Sequence, residues 1–194
     1  MIARAVVIGV SAGGLEALKA IIPALRADFP LPVMIVQHLS ADSTSFLPVF
    51  LNDMSALTVK EAEDKEVLAG KTVYIAPPDY HLLVEADQSL SLSQEPKVNF
   101  SRPAVDVLFE TAAEAYGSGL IGIVLTGANH DGAKGLARIK ALGGLTVVQS
   151  PETASATAMP MAAIEIAKPD HVLPLRDIGP FLNTLIPHDH EQPA

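Results

Sequence analysis

The sequence predicts a doubly wound α/β fold, in which helices cover both faces of a mostly parallel sheet. Two features of the 194-residue chain support this prediction. Wholly apolar segments such as residues 5–8 and 33–36 are typical of parallel strands that are buried on both faces. Amphipathic helical segments alternate with these strands along much of the chain, and such alternation favours right-handed crossovers between parallel strands.

The first part of the chain predicts two strand–helix pairs. The first strand spans residues 4–9, and a helix begins near Gly13 and kinks or ends at Pro23. The second strand spans residues 33–37, and the second helix spans residues 43–54. The apolar residues at helical spacing in the first helix are Leu15, Leu18, Ile22 and Leu25.

The middle of the chain has a different pattern. Residues such as Gly70 and Asp87, which favour turns, separate its short strand-like segments. These segments are residues 57–59, 72–75, 81–84 and 90–92. Their spacing predicts strands and hairpins, some of them antiparallel, that are inserted in the main sheet or appended to it.

Alternation resumes in the last part of the chain. Pro103 is expected in the first turn of a helix that Gly117 caps at its end. The further strands are predicted at residues 120–125, 145–148 and 171–175, and the further helices at residues 132–142, 161–167 and 178–185. We predict a single domain over residues 1–186 and a disordered polar tail over residues 187–194.

Composition excludes several classes of protein. Acidic residues outnumber basic ones by 22 to 13, and the net charge of −9 disfavours a nucleic-acid partner. The absence of cysteine excludes disulfides, a thiolate nucleophile and thiolate metal ligands. No apolar run is long enough to span a bilayer, and the amino terminus is typical of a strand rather than a signal peptide. We therefore expect a cytoplasmic protein that is not embedded in a membrane.

The loop after the first strand carries a candidate nucleophile. In parallel sheets, functional sites form beyond the carboxyl ends of the strands. Residues 9–13 read G-x-S-x-G, a pattern that can lift Ser11 above a tight strand-to-helix turn. Two alternatives remain open at this point. Ser11 could cap the following helix, or the Gly9–Gly14 loop could bind a phosphate or nucleotide, although Ser11 stands in the place of the second glycine of G-x-G-x-x-G.

A histidine and an aspartate occupy two further loops of the same kind. His38 follows the second strand, and Asp131 lies in the loop after the strand at residues 120–125. Taken alone, His38 could be a polar strand end and Asp131 could cap the next helix. Because the three loops are expected at one edge of one sheet, Ser11, His38 and Asp131 together indicate a catalytic triad. Their order along the chain differs from that of α/β-hydrolases.

The remaining histidines receive less weight. His130 is a competing general base, whereas His81 and His171 are expected at strand ends. The segment 188–191 contains two histidines and two carboxylates, but it lies in the predicted tail and does not have the spacing of a zinc site. We therefore expect neither a metal nor a cofactor.

Several separate motifs resemble the catalytic domain of the bacterial chemotaxis receptor methylesterases, which are protein-glutamate methylesterases of the CheB type. The resemblance extends from Val6 to about Leu185. The motifs are residues 8–14, 36–38, 61–64, 74–77, 102–109, 125–133 and 159–164. Their number and order make the resemblance specific.

The resemblance implies a function and a site. Ser11, His38 and Asp131 would form the triad, and the backbone N–H of Ala128 would contribute to the oxyanion hole. The expected reaction is hydrolysis of glutamyl γ-methyl esters with release of methanol, with glutamine deamidation as a side activity and no cofactor. The expected partners are the cytoplasmic helices of methylated chemoreceptors or another methylated protein.

The chain also departs from the family pattern G-M-G-x-D-G-A. Ala128 replaces the methionine and Asn129 the second glycine, and asparagine would suit that position if it needs a positive φ. Ala12 stands where serine or threonine is common. The chain starts at the first catalytic strand, so we expect no receiver domain of its own, which leaves room for a separate regulatory protein. These departures keep a catalytically weak, receptor-binding scaffold open as an alternative.

Overall fold

The computed structural model describes residues 2–38 and 46–186. Its strands are β1 (Ala5–Val10), β2 (Val33–Gln37), β3 (Thr58–Glu61), β4 (Thr72–Ile75), β5 (His81–Val84), β6 (Leu90–Ser93), β7 (Leu120–Val124), β8 (Leu145–Gln149) and β9 (His171–Leu173). Its α-helices are α1 (Gly14–Ile21), α2 (Phe46–Met54), α3 (Val105–Tyr116), α4 (Ala133–Ala141), α5 (Ala158–Ala167) and α6 (Leu175–Thr184).

Seven of the strands form one parallel sheet in the order β3-β4-β2-β1-β7-β8-β9. The strands β5 and β6 form a separate antiparallel pair. Strand β1 lies near the centre of the sheet, with β2 on one side and β7 on the other. The predicted fold class is therefore confirmed, including the antiparallel strands from the middle of the chain.

The parallel sheet separates two apolar cores. One core contains residues of α1, α2 and α6, and the other contains residues of α3, α4, α5 and the β5–β6 hairpin. Consecutive residues of β1 alternate between these cores, since Val6 and Ile8 face the first and Val7 faces the second. Burial on both faces explains why the strand is apolar at every position.

The middle of the chain differs in part from the prediction. Only β5 and β6 form a hairpin, whereas β3 and β4 pair in parallel at one end of the main sheet. Short apolar segments carry no signal for strand direction. The connection through residues 62–71 decides it here, because it returns the chain to the starting edge of the sheet and aligns Thr58 with Thr72.

Some element boundaries also differ from the prediction. Pro103 is not in the first turn of α3, because it precedes the cap residue Ala104. Helix α5 begins three residues earlier than predicted. Its first turn tolerates Pro160, because the N–H groups of a first turn have no acceptor within the helix and the missing N–H of proline therefore costs no hydrogen bond. Gly117 ends α3 as predicted, but its φ of 52° and ψ of −126° lie outside the left-handed helical region that was expected for the cap.

Two predictions lie outside the described residues. These are the first three residues of the predicted second helix, 43–45, and the predicted tail at 187–194, which includes the histidine-rich segment. In the described ranges 2–38 and 46–186, no helix combines the length and the apolar character that crossing a membrane requires.

Candidate functional site

The loops that follow β1, β2 and β7 meet at the carboxyl edge of the parallel sheet. The backbone N–H of His38 donates to the carbonyl oxygen of Val10 at 3.0 Å. On the other side of β1, the N–H of Ser11 donates to the carbonyl oxygen of Thr126 at 3.0 Å. The fold thus brings the three predicted loops together, because β1 lies between the other two strands.

The turn that carries Ser11 depends on glycine. Gly13 has a φ of 79° and is the cap residue of α1, and no side chain caps this helix. The interpretation of Ser11 as a helix cap is therefore wrong. Gly127 allows the β7 loop to approach, because a Cβ atom at this position would lie 1.9 Å from Met159 Sδ and 3.0 Å from Ser11 Cβ.

His38 and Asp131 are in direct contact. The distance between His38 Nε2 and Asp131 Oδ2 is 2.8 Å, and the Asp131 side chain is completely buried. A carboxylate can only accept, so in the neutral ring of His38 the proton is on Nε2 and the lone pair is on Nδ1. Nδ1 is therefore the ring nitrogen that can act as a base.

Four hydrogen bonds saturate the Asp131 carboxylate. Besides His38, its donors are Asn99 Nδ2 at 2.8 Å and the backbone N–H groups of Val105 at 2.6 Å and Asp106 at 3.0 Å. Burial raises the pKa of Asp131, but these hydrogen bonds, led by that of His38, outweigh burial and hold the pKa below its usual value. Asp131 is consequently charged at neutral pH.

Asp131 caps a different helix from the predicted one. Val105 and Asp106 form the first turn of α3, so the carboxylate lies at the positive end of that helix. The following helix, α4, has Gly132 as its cap residue with a φ of 91°, and the side chain that accepts from its first turn is Asp106, at 2.8 Å from the N–H of Gly135. The expectation that Asp131 could cap the next helix is therefore wrong.

Of the three side chains, Ser11 makes the fewest hydrogen bonds to the described residues. Within residues 2–38 and 46–186, no hydrogen bond joins Ser11 Oγ to His38. The arrangement consists of a hydrogen-bonded histidine–aspartate pair with a serine on the adjoining loop. Hydrogen bonds of catalytic groups are often absent or long without substrate, so this geometry is compatible with a nucleophile and its base.

The predicted oxyanion residue lies in the β7 loop between Gly127 and Asn129. Ala128 is exposed, and its backbone N–H has no acceptor within the described part of the chain. Asn129 does not adopt a positive φ, so the sequence change from glycine is not a response to backbone strain. Instead, its side chain makes two contacts. Asn129 Oδ1 lies 3.0 Å from the backbone N of Asp131, and Asn129 Nδ2 lies 3.3 Å from His38 Nδ1.

Gln37 is a site residue that the sequence analysis missed. Its Nε2 donates to the carbonyl oxygens of Ser11 at 3.1 Å and His38 at 2.9 Å, which ties the two loops together. Its Oε1 is packed against Gly14, where a Cβ atom would lie only 1.8 Å away. A polar residue at the end of a wholly apolar strand was the signal that could have identified it.

Asn99 is a second missed residue, and it precedes α3 in a loop. Its Nδ2 bridges Asp131 Oδ1 at 2.8 Å and Asp106 Oδ2 at 2.9 Å. Burial, followed by the charge of Asp131, raises the pKa of Asp106, although the N–H of Gly135 opposes the rise. Asn99 thus supplies a donor shared by two neighbouring carboxylates, and no local sequence pattern indicates this contact.

The other histidines in residues 2–38 and 46–186 lie apart from this network. His81 is buried at the start of β5, where it contacts Pro96 O and Ala104 N, and His171 begins β9 and packs on Phe181. Both predictions of strand ends are confirmed. His130 is exposed and lines a shallow groove of about 380 Å³ together with residues of α5.

Comparison with known proteins identifies the family. The chain matches the family described as CheB methylesterase over residues 6–182. It is 50% identical over 189 residues to a putative protein-glutamate methylesterase/protein-glutamine glutaminase of Leptospira interrogans, covering 97% of this chain and 98% of the relative.

Other relatives are longer. A protein-glutamate methylesterase/protein-glutamine glutaminase of Thermotoga maritima is 41% identical over 186 residues, and the match covers 94% of this chain but 54% of the relative. The crystal structure of the Thermotoga maritima CheB methylesterase catalytic domain superposes with a TM-score of 0.92 at 41% identity, covering 96% of this chain and all of that domain. With the same fold and a match along nearly its whole length, the chain belongs to the CheB methylesterase family.

Proposed function

We propose that this protein is a serine hydrolase that removes methyl groups from glutamyl γ-methyl esters of a protein substrate and releases methanol. The observation that carries the proposal is the His38–Asp131 pair, which lies at the same sheet edge as the Ser11 loop. Membership in the CheB methylesterase family supports the reaction class. The same chemistry would deamidate glutamine with release of ammonia.

The residues suggest a two-stage mechanism. His38 Nδ1 takes the proton of Ser11 as Oγ attacks the ester carbonyl, and Asp131 stabilises the imidazolium that forms. The N–H of Ala128 donates to the developing oxyanion, a contribution of about 3–4 kcal/mol for one donor. His38 then protonates the departing methoxide. A water molecule, deprotonated by His38, hydrolyses the glutamyl–serine ester and regenerates the free hydroxyl.

The surface around the site suits a large substrate. Four apolar side chains in elements at the carboxyl edge of the sheet are at least half exposed: Phe46, Phe100, Met161 and Ile166. Apolar side chains that remain exposed around a site are typical of a surface that binds another protein. The proposed partner is a methylated chemoreceptor helix or another methylated protein.

The test is methanol release from methylated receptor membranes with the purified protein. Ser11→Ala should abolish the release, because it removes the hydroxyl that attacks the ester, while far-UV circular dichroism should show an intact fold. Ser118→Ala is the matched control, since Ser118 is exposed at the amino end of β7, opposite the site. It should keep the wild-type rate.

A fluorophosphonate probe separates the proposal from its alternatives. An active serine hydrolase should be labelled at Ser11, and His38→Gln should suppress labelling. A protein that binds receptor membranes without labelling or methanol release would be a scaffold. Nucleotide binding in calorimetry that Ser11→Ala leaves intact, again without turnover, would favour a phosphate-binding loop.

A further inference from the structure

The side chain of Asn129 connects the two members of the histidine–aspartate pair. Its Oδ1 accepts from the backbone N–H of Asp131 at 3.0 Å, and its Nδ2 lies 3.3 Å from His38 Nδ1. Asn129 is half-buried, and both contacts are partly buried. Its backbone does not require a special residue, because its φ is not positive.

The hydrogen-bonding roles of these atoms follow from their partners. The N–H of Asp131 can only donate, so the amide oxygen of Asn129 must face it and the NH2 group must face His38. The charged carboxylate of Asp131 receives the Nε2–H of His38, so in the neutral ring the lone pair is on Nδ1. Asn129 therefore donates a hydrogen bond to His38 Nδ1.

This hydrogen bond occupies the atom that the proposed mechanism needs. On the basis of the proposed function, we infer that Asn129 is a positioning residue that restrains His38 in a resting arrangement and slows the activation of Ser11. The lone pair of Nδ1 lies in the plane of the ring and can receive either the Asn129 amide proton or the Ser11 hydroxyl proton. After proton transfer, Nδ1–H and the amide NH2 would be two donors facing each other.

The restraint explains two observations together. It accounts for the absence, among the described residues, of a hydrogen bond between Ser11 Oγ and His38. It also gives a role to an asparagine whose backbone conformation does not call for one. For the reaction to proceed, the Asn129 side chain must turn away, which its position in an exposed loop between Ala128 and His130 permits.

The size of the effect follows from the strength of one hydrogen bond between neutral groups. Removing such a bond should accelerate the reaction of Ser11 by about threefold to tenfold. Asn129→Ser and Asn129→Gly separate the two contacts of the side chain. A serine oxygen can still accept from the N–H of Asp131, as in the turns that serine commonly forms, but it is too short to reach His38. Glycine removes both contacts.

Two measurements test the inference with the full chain. The first is the rate at which a fluorophosphonate labels Ser11 in the wild type and in both variants. The second is the ¹⁵N resonance of His38 Nδ1 at neutral pH, assigned with His38→Gln. We expect both variants to be labelled about threefold to tenfold faster. We also expect the Nδ1 signal to move downfield in both, because the nitrogen no longer accepts a hydrogen bond.

The outcomes distinguish this inference from the proposed function. If Asn129→Ser matches the wild type in labelling and resonance while only Asn129→Gly differs, Asn129 merely shapes the turn and the inference is overturned. Slower labelling in both variants would overturn it as well, since Asn129 would then assist His38. If Ser11 is not labelled even in the wild type, the proposed function itself fails, and the Nδ1 resonance alone still reports whether the hydrogen bond exists.

Discussion

The histidines at positions 38 and 130 differ in one contact, although both lie in loops at the same edge of the sheet. His38 contacts a buried carboxylate that fixes its tautomer, whereas His130 is exposed and lines a surface groove. A general base needs both orientation and a stabilising partner for its charged form. Only His38 has both within the described structure.

His38→Gln should therefore lower the rate of methanol release by about 10²–10⁴-fold, because general-base catalysis contributes that much. His130→Gln should change the rate little, since no step uses its imidazole. The measurement is the initial rate with methylated receptor membranes at equal protein concentration. A large loss in His130→Gln together with a small loss in His38→Gln would assign the base to His130 instead.

At the scale of elements, Asp131 joins the β7 loop to the start of α3. Its oxygens accept the N–H groups of Val105 and Asp106, which have no partner within their own helix. The contact also positions Asp106, whose Oδ1 accepts the N–H of Gly135 in α4 at 2.8 Å. One carboxylate thus stabilises a helix end, a helix–helix contact and the orientation of His38.

Asp131→Asn should lower the free energy of unfolding by about 2–4 kcal/mol at pH 7, since an amide NH2 would face buried donors. Urea unfolding of both proteins measures the difference. Because the folded-state pKa of Asp131 is below its usual value, its contribution is present above about pH 4 and is lost as the pH falls through the folded-state pKa. The difference in the free energy of unfolding between the wild type and Asp131→Asn should therefore become smaller as the pH is lowered.

Asp87→Asn provides the control for this prediction. Asp87 is exposed in the turn between β5 and β6, where hydrogen bonds from Ser89 lower its pKa. This substitution should reduce stability much less than Asp131→Asn does. If both substitutions have the same effect, or if the difference for Asp131→Asn grows as the pH falls, the assigned role of the Asp131 carboxylate would be wrong.

For the whole molecule, the surface at the carboxyl edge of the sheet bears on how a protein substrate would bind. The carboxyl edge carries the site and exposed apolar side chains, among them Phe100, which is 97% exposed at a φ of 63°. Phe100 follows Asn99, the donor to Asp131, so it lies beside the site. The proposed protein substrate would cover this ring as its methylated side chain enters the site.

Phe100→Ser should raise the KM for methylated receptor membranes by about tenfold, because burying a phenylalanine side chain contributes roughly 1.5–3 kcal/mol. Hydrolysis of a small methyl ester should keep its rate, since such a substrate does not reach Phe100. Ile2→Ser is the control, because Ile2 is also exposed but precedes β1 at the opposite edge. An equal loss with both substrates would contradict a role in binding the protein substrate.

The sequence alone determined the fold class and the three loops that carry Ser11, His38 and Asp131. These features depend on patterns within a few residues, such as unbroken apolar strands and glycine turns, which local physics reveals. The position of the loops at one edge then follows from the geometry of any parallel sheet. The family resemblance added the oxyanion role of Ala128, which stays a prediction.

Only the tertiary structure decided the contacts between residues that are distant in sequence. Asp131 caps α3 rather than α4, Asn99 bridges two carboxylates, and Asn129 occupies His38 Nδ1. The tertiary structure also decided that β3 is parallel to its neighbour, because the direction of a strand is defined only relative to its partner strand, here β4. A hydrogen bond depends on the position of both groups to within a fraction of an ångström, and for distant residues the packing of the two cores around the sheet sets that position.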